Sequence, residues 1–144
     1  MRIALFNVNA KQSSDGSRLV SSILKRAGHQ VDFVFLPRAR KHPYERDEFL
    51  RLSPVLEKAS LVLIAVYSTY AHRAVKLTRF IEREYPETPV FWGGPHCVSA
   101  PKLSLEHVRG VCFSEGDEAV LELIERIEGG QDYRKTANWA FRSE

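Results

Sequence analysis

Apolar positions along the chain follow two alternating periods, and this alternation predicts an α/β domain. Short runs rich in β-branched and aromatic residues predict five strands. Helical spacing of apolar residues predicts three clear helices between them. The predicted strands cover residues 2–8, 30–36, 61–67, 89–92 and 108–113, and the helices cover residues 17–27, 71–85 and 117–128.

Two connecting segments are less regular than the rest. Residues 46–58 contain Pro54, which predicts two short helices or one helix with a break. Residues 101–107 predict only a turn or two. The central strands are almost continuously apolar, as is typical of strands covered by helices on both faces. We therefore predict a doubly wound, five-stranded parallel sheet in the flavodoxin-like (Rossmann-like) order 2-1-3-4-5.

Ligands of such a sheet bind at the carboxyl ends of the strands, so the loops that follow the strands are the places to look for function. The first loop, residues 7–17, can bind an anion through backbone N–H groups or simply cap the next helix. It lacks the spacing of a P-loop or a dinucleotide fingerprint. Asn7, Asn9 and Ser68 stand where a phosphoacceptor receiver has carboxylates, which argues against that class.

The third and fourth loops carry the sharpest candidate chemistry. The hydroxyls of Ser68 and Thr69 can donate to a ligand or cap the helix that follows, and Tyr70 can contact an aromatic ligand or pack at the sheet end. Gly-Gly-Pro-His at 93–96 removes two Cβ atoms, either for a close approach to the backbone or for a tight turn. A lone histidine there defines no catalytic site.

The fifth loop, residues 114–118, opens the last predicted helix. Asp117 and Glu118 are explained by the helix macrodipole, whereas Glu115 precedes the helix and is less explained. The basic stretch 38–42 is typical of a solvated edge loop, and it can also help to dock a neighbouring domain or an amide- or carboxylate-bearing ligand.

Composition excludes several classes. The 144 residues, 44% of them apolar, suit one domain with a proper core. A net charge of +3 is too mild for a nucleic-acid binder. The start of the chain lacks signal-peptide features, and its longest apolar run is too short for a membrane span. Cys97 and Cys112 predict free thiols in a reducing compartment, so we expect a cytoplasmic protein without a metal site.

Three motifs occur in order at predicted strand ends, and together they carry a resemblance. The hydroxyl loop at 68–69, the Gly-Gly-Pro-His loop at 93–96 and the run 114–123 resemble the N-terminal cobalamin-binding domain of cobalamin-dependent radical S-adenosylmethionine enzymes. The resemblance covers nearly the whole chain. The tail at 136–142 also resembles the linker into the radical domain of that family.

The resemblance implies a cobalamin-binding-like domain over residues 1–130 and a linker over 131–144. Ser68 and Thr69 would contact the benzimidazole of the cofactor's nucleotide tail, and the two glycines would let the tail pass close to the backbone. The other residues would line the tail or the corrin rim. The predicted cofactor-binding set is Asn9, Ser68, Thr69, Tyr70, Gly93, Gly94, Pro95, His96, Glu115 and Gly116.

Two absences refine this interpretation. The D-x-H-x-x-G motif that supplies a cobalt-ligating histidine in methionine-synthase-like members is missing after the first strand. The C-x-x-x-C-x-x-C motif that holds the iron–sulfur cluster of a radical domain is also missing. We therefore expect the cluster and S-adenosylmethionine to belong to a downstream radical domain outside this chain, unless the chain is a stand-alone binding module.

The leading hypothesis is a cobalamin-binding module of a larger radical enzyme, such as a methyltransferase or a ring-forming enzyme, that is not catalytic alone. Its expected partners are cobalamin and the radical domain, with no nucleic acid and no membrane. One alternative is a cofactor-free docking or scaffold module of the same fold. A second is a flavin carrier, although the first loop lacks the Thr/Ser-rich phosphate pattern of flavodoxins.

Overall fold

A single mixed sheet forms the centre of the molecule. The computed structural model describes residues 1–9 and 15–143. The strands are β1 (Arg2–Asn7), β2 (Gln30–Phe35), β3 (Leu61–Ala65), β4 (Val90–Gly93), β5 (Gly110–Cys112) and β6 (Trp139–Phe141). They are arranged in the order β2-β1-β3-β4-β5-β6. The first five are mutually parallel, which confirms the predicted order 2-1-3-4-5.

Helices connect the parallel strands. They are α1 (Asp15–Arg26), α2 (Arg46–Phe49), α3 (Ser53–Leu56), α4 (Ala71–Glu84), α5 (Pro95–Ser99), α6 (Pro101–Leu105) and α7 (Gly116–Glu128). The segment around Pro54 forms two short helices joined by a 3-10 turn, because proline suits the first turn of the second helix. Helix α5 was not predicted, since five residues are too few to show a helical period.

The sheet is covered on both faces, as its apolar strands predict. Side chains alternate along a strand, so Ala4 and Phe6 point to one face whereas Ile3 and Leu5 point to the other. The first face packs against α4 and the short helices, and the second packs against α1 and α7. Each fully buried leucine or isoleucine contributes about 1.5–3 kcal/mol by leaving water, and this burial holds the helices to the sheet.

The sixth strand is the feature of the fold that the sequence did not predict. β6 pairs antiparallel with β5, and Phe141 lies opposite Gly110. A Cβ on Gly110 would lie 2.7 Å from the Phe141 ring, so this glycine makes room for the aromatic side chain. Trp139 and Phe141 also pack around Phe91, with ring centroids 5.7 and 6.4 Å from its own. Part of the segment predicted as a linker is therefore sheet.

Candidate functional site

Small residues at the strand ends open a cavity at the carboxyl edge of the sheet. Asn7 pairs with Ala65, and Ala65 pairs with Gly93, so the three lie side by side on β1, β3 and β4. They occupy the face that carries Leu5 and Leu63 earlier in the same strands. Because alanine and glycine fill little space there, a cavity of about 510 Å³ remains between the sheet, α1 and α7.

The cavity has mainly apolar walls. Helices α1 and α7 both begin at its mouth, where Gly16, Ser17, Gly116 and Asp117 contribute to the lining. Helix N-termini present free backbone N–H groups, which favour anions. The apolar residues of the lining are Leu5, Leu19, Val20, Leu63, Ile64, Ala65, Pro95, Val98, Cys112, Val120 and Trp139.

The two glycines of the fourth loop have different reasons for being glycine. Gly94 has a φ of 99°, and a Cβ on it would lie 2.9 Å from the backbone N and O of Val66. The Val66 N–H donates to Gly93 at 2.8 Å, and the His96 N–H donates to Val66 at 3.1 Å, so this backbone has little freedom to move. The close approach at Gly94 is therefore made by the chain itself.

Gly93 faces open space instead. A Cβ on Gly93 would meet only Cys112 Cβ, at an ordinary 3.9 Å. Gly116, at the start of α7, is similar, because its Cβ would lie 3.7 Å from Val20. Both glycines widen the cavity, although the surrounding backbone would tolerate a Cβ at either position.

Five residues of the predicted set come together in this cavity lining, namely Gly93, Gly94, Pro95, Glu115 and Gly116. The other five lie outside it, namely Asn9, Ser68, Thr69, Tyr70 and His96. The structure thus divides the set into a cavity group and a group on neighbouring loops. Residues 10–14 of the first loop, which were considered for capping or anion binding, lie outside the described residues.

The third loop is tied to the fourth by a side-chain hydrogen bond. Ser68 begins a 3-10 turn, and its Oγ shares a hydrogen bond with Nδ1 of His96 at 3.0 Å. His96 is 9% exposed, and burial lowers its pKa, so the imidazole is neutral at physiological pH. This bond fixes the orientation of the ring and keeps Nδ1 from acting as a ligand.

Arg73, which was not in the predicted set, is a buried cation at the same edge. It is 2% exposed, and its guanidinium donates to Leu36 O at 2.9 Å, to Ala39 O at 3.2 Å and to Val8 O at 3.4 Å. Tyr70 lies against its guanidinium, 5.1 Å from centroid to Cζ. Arg73 therefore joins the ends of β1 and β2. Its position on the buried face of α4, one residue before Ala74, was the available signal.

Other residues in and around the cavity were not in the predicted set. Asn7 Nδ2 donates to Ser17 Oγ at 2.6 Å, which joins β1 to the first turn of α1. Trp139 lines the cavity, and its indole N–H donates to Ala119 O at 3.0 Å. Asn7 could have been predicted as a site residue, because asparagine is unusual at an inward-facing position of a buried strand. Trp139 could not, because it reaches the cavity only through the unpredicted strand β6.

Both cysteines are free and buried, which confirms their predicted state. Burial raises the pKa of Cys97 to about 12 and also raises that of Cys112. Within residues 1–9 and 15–143, no group of three or more His, Cys, Asp or Glu side chains could hold a metal ion. Among the described residues, no helix has both the length and the apolarity needed to cross a membrane.

Comparison with known proteins identifies the family of the chain. The family model described as the B12 binding domain matches residues 1–124. No curated protein matches the sequence. The chain is similar in structure to the radical S-adenosylmethionine methyltransferase TsrM from Kitasatospora setae, solved with cobalamin and a 4Fe–4S cluster bound, with a TM-score of 0.80 and 18% identity.

The likeness to TsrM covers 99% of this chain and 29% of the TsrM chain. At that identity it shows a shared fold. The family match shows more than the fold, and it includes all five parallel strands and most of α7. The chain therefore belongs to the B12-binding domain family.

Proposed function

We propose that this chain holds cobalamin with its nucleotide tail in the cavity and its corrin ring across the carboxyl edge of the sheet. Family membership indicates cobalamin as the cofactor. The observation that carries the placement is the cavity of about 510 Å³, which opens at the edge where parallel α/β sheets bind ligands. It is also the space left by Ala65 and Gly93 in adjacent strands.

The chemistry of the lining fits such a tail. The apolar inner walls suit a flat heterocyclic base, whereas the first turns of α1 and α7 at the mouth suit the tail phosphate. Gly93 and Gly116 leave room beside the backbone. Among the predicted residues, we assign the five lining residues Gly93, Gly94, Pro95, Glu115 and Gly116 to the tail.

The corrin rim is assigned to the loops around the cavity. The sequence resemblance implied that Ser68 and Thr69 contact the benzimidazole, but both lie outside the cavity lining. We therefore assign them to the rim, together with Asn9, Tyr70 and His96. The hydrogen bond between Ser68 and His96 would hold two of these loops together beneath the ring.

The larger context is a radical enzyme in which this chain binds but does not catalyse. Bound cobalamin would supply the reactive, group-carrying chemistry, and this chain's residues would hold and orient it. We assign the iron–sulfur cluster and S-adenosylmethionine to a downstream domain. The likeness to TsrM supports this context. The two free thiols fit a reducing compartment such as the cytoplasm.

The test mixes the full chain with hydroxocobalamin or with flavin mononucleotide, removes unbound cofactor on a desalting column and records the absorbance. We expect the cobalamin spectrum to stay with the protein and the flavin spectrum to be lost. Retention of flavin alone would identify the flavin carrier. Retention of neither would contradict the proposal and favour the docking module.

A cavity-filling variant makes the test specific. Ala65→Leu places an isopropyl group in the cavity, whereas Ala59→Leu makes the same change at a partly buried position on the opposite face of the sheet. We expect Ala65→Leu to lose cobalamin and Ala59→Leu to retain it, with both still folded by circular dichroism. Equal retention by the two variants would contradict the placement of the tail.

A further inference from the structure

The inner wall of the cavity is mainly apolar, and its buried polar residue Ser17, which is 5% exposed, accepts a hydrogen bond from Asn7. Leu5, Leu63, Cys112 and Val120 line the interior and are between 3% and 6% exposed. Glu115 belongs to the lining but is exposed. A group that enters deeply therefore meets hydrocarbon and a neutral thiol.

The polar atoms near the interior already have partners. The indole N–H of Trp139 donates to Ala119 O, the amide of Asn7 donates to Ser17, and the Cys112 thiol donates to Ser114 O at 3.5 Å. Within residues 1–9 and 15–143, the only buried side-chain nitrogen or oxygen without a hydrogen-bond partner is Nε of Arg73, which is outside the lining. Each buried side-chain nitrogen or oxygen of the described inner wall therefore already has a hydrogen-bond partner within the protein.

We infer that this cavity selects corrinoids whose lower base is apolar, such as dimethylbenzimidazole, over corrinoids whose lower base is a purine. The inference rests on the proposed function. A buried adenine carries an amino group and ring nitrogens that would lose hydrogen bonds to water, and the apolar side chains of this wall offer no replacement for them. The methyl groups of dimethylbenzimidazole instead gain by burial. The residues that determine this specificity are Leu5, Leu63, Val120 and Trp139.

The test compares three corrinoids on the full chain by equilibrium dialysis, each in its aquo form. They are cobalamin, the adenine-containing pseudocobalamin, and cobinamide, which has no nucleotide tail. We expect pseudocobalamin to bind about 10- to 100-fold more weakly than cobalamin. Cobinamide should also bind more weakly, because it leaves the cavity unfilled.

The outcomes separate this inference from the proposed function. Equal affinity for cobalamin and pseudocobalamin would overturn the inference and leave the proposed function standing. Equal affinity for cobalamin and cobinamide would overturn both the inference and the placement of the tail. Binding of none of the three would overturn the proposed function itself.

A pair of variants tests the named wall. Val120→Thr adds a hydroxyl to the inner wall at nearly constant volume, whereas Val90→Thr makes the same change at an equally buried position at the other end of the sheet. We expect Val120→Thr to reduce the preference for cobalamin several-fold and Val90→Thr to leave it unchanged. An unchanged preference in Val120→Thr, with both variants showing similar melting temperatures, would contradict the assignment.

Discussion

Gly93 and Gly94 are neighbours in one loop, yet the same substitution at each should have opposite results. In Gly94→Ala the new Cβ would lie 2.9 Å from the backbone N and O of Val66, at a φ of 99°. In Gly93→Ala it would lie 3.9 Å from Cys112 Cβ, which is ordinary contact. The pair therefore separates a backbone requirement from a binding requirement.

The expected magnitudes follow from these contacts. A Cβ in the left-handed region costs about 1–2 kcal/mol, and relief of the crowding costs about 1–3 kcal/mol more. Gly94→Ala should therefore lower the free energy of unfolding by about 2–5 kcal/mol. At about 3 °C per kcal/mol for a chain of this size, the melting temperature should fall by about 6–15 °C. Gly93→Ala should be neutral, or stabilising by up to about 1 kcal/mol.

Urea denaturation followed by circular dichroism measures both free energies on the full chain. We expect the midpoint of Gly94→Ala to fall well below that of Gly93→Ala. Gly93→Ala should show the larger loss of cobalamin affinity per molecule of folded protein, since its methyl group enters the cavity. Equal midpoints for the two variants would refute the reasoning about Val66.

Three other predictions concern buried polar groups. Arg73→Met should lower the free energy of unfolding, measured in urea, by about 2–4 kcal/mol, because carbonyl oxygens lose a charged hydrogen-bond donor. Arg79→Met, at an exposed position on the same helix, should change it by less than about 0.5 kcal/mol. Burial raises the pKa of Cys97 from 9 to about 12, so the buried thiol must stay protonated for the protein to remain folded. The free energy of unfolding should therefore fall as pH rises from 9 towards about 12, and the fall should be smaller in Cys97→Ala. Cob(II)alamin bound to the chain should be base-off and show no nitrogen superhyperfine splitting in electron paramagnetic resonance, because no histidine stands in the first loop; a splitting abolished by His96→Ala would disprove this.

The strand order was predictable because buried parallel strands and amphipathic helices leave strong periodic signals. The cavity was only partly predictable. Gly93 was predicted because paired glycines at a strand end are unusual. Nothing in the sequence marks its partner Ala65, which becomes part of the cavity only because the register of β3 and β4 places it beside Gly93. The role of Ala65 depends on the pairing of two strands that are distant in sequence, and no local sequence pattern indicates that pairing.

Two other features depended on tertiary context. Arg73 lies among charged residues on α4, and its burial arises because the loops after β1 and β2 offer it carbonyl oxygens. The strand β6 has three residues, too few for a period, and it pairs because Gly110 leaves space for Phe141. Both cases show packing between distant segments deciding what local propensity could not.

The most direct test of the central claim is a map of where cobalamin binds. Two-dimensional amide NMR spectra of the ¹⁵N-labelled chain, recorded with and without hydroxocobalamin, provide that map. We predict the largest shifts at the amides of Gly93, Cys112 and Gly116, which surround the cavity, and little change at Ala59 on the opposite edge of the sheet. Shifts confined to other surfaces, or no shifts at saturating cofactor, would contradict the account.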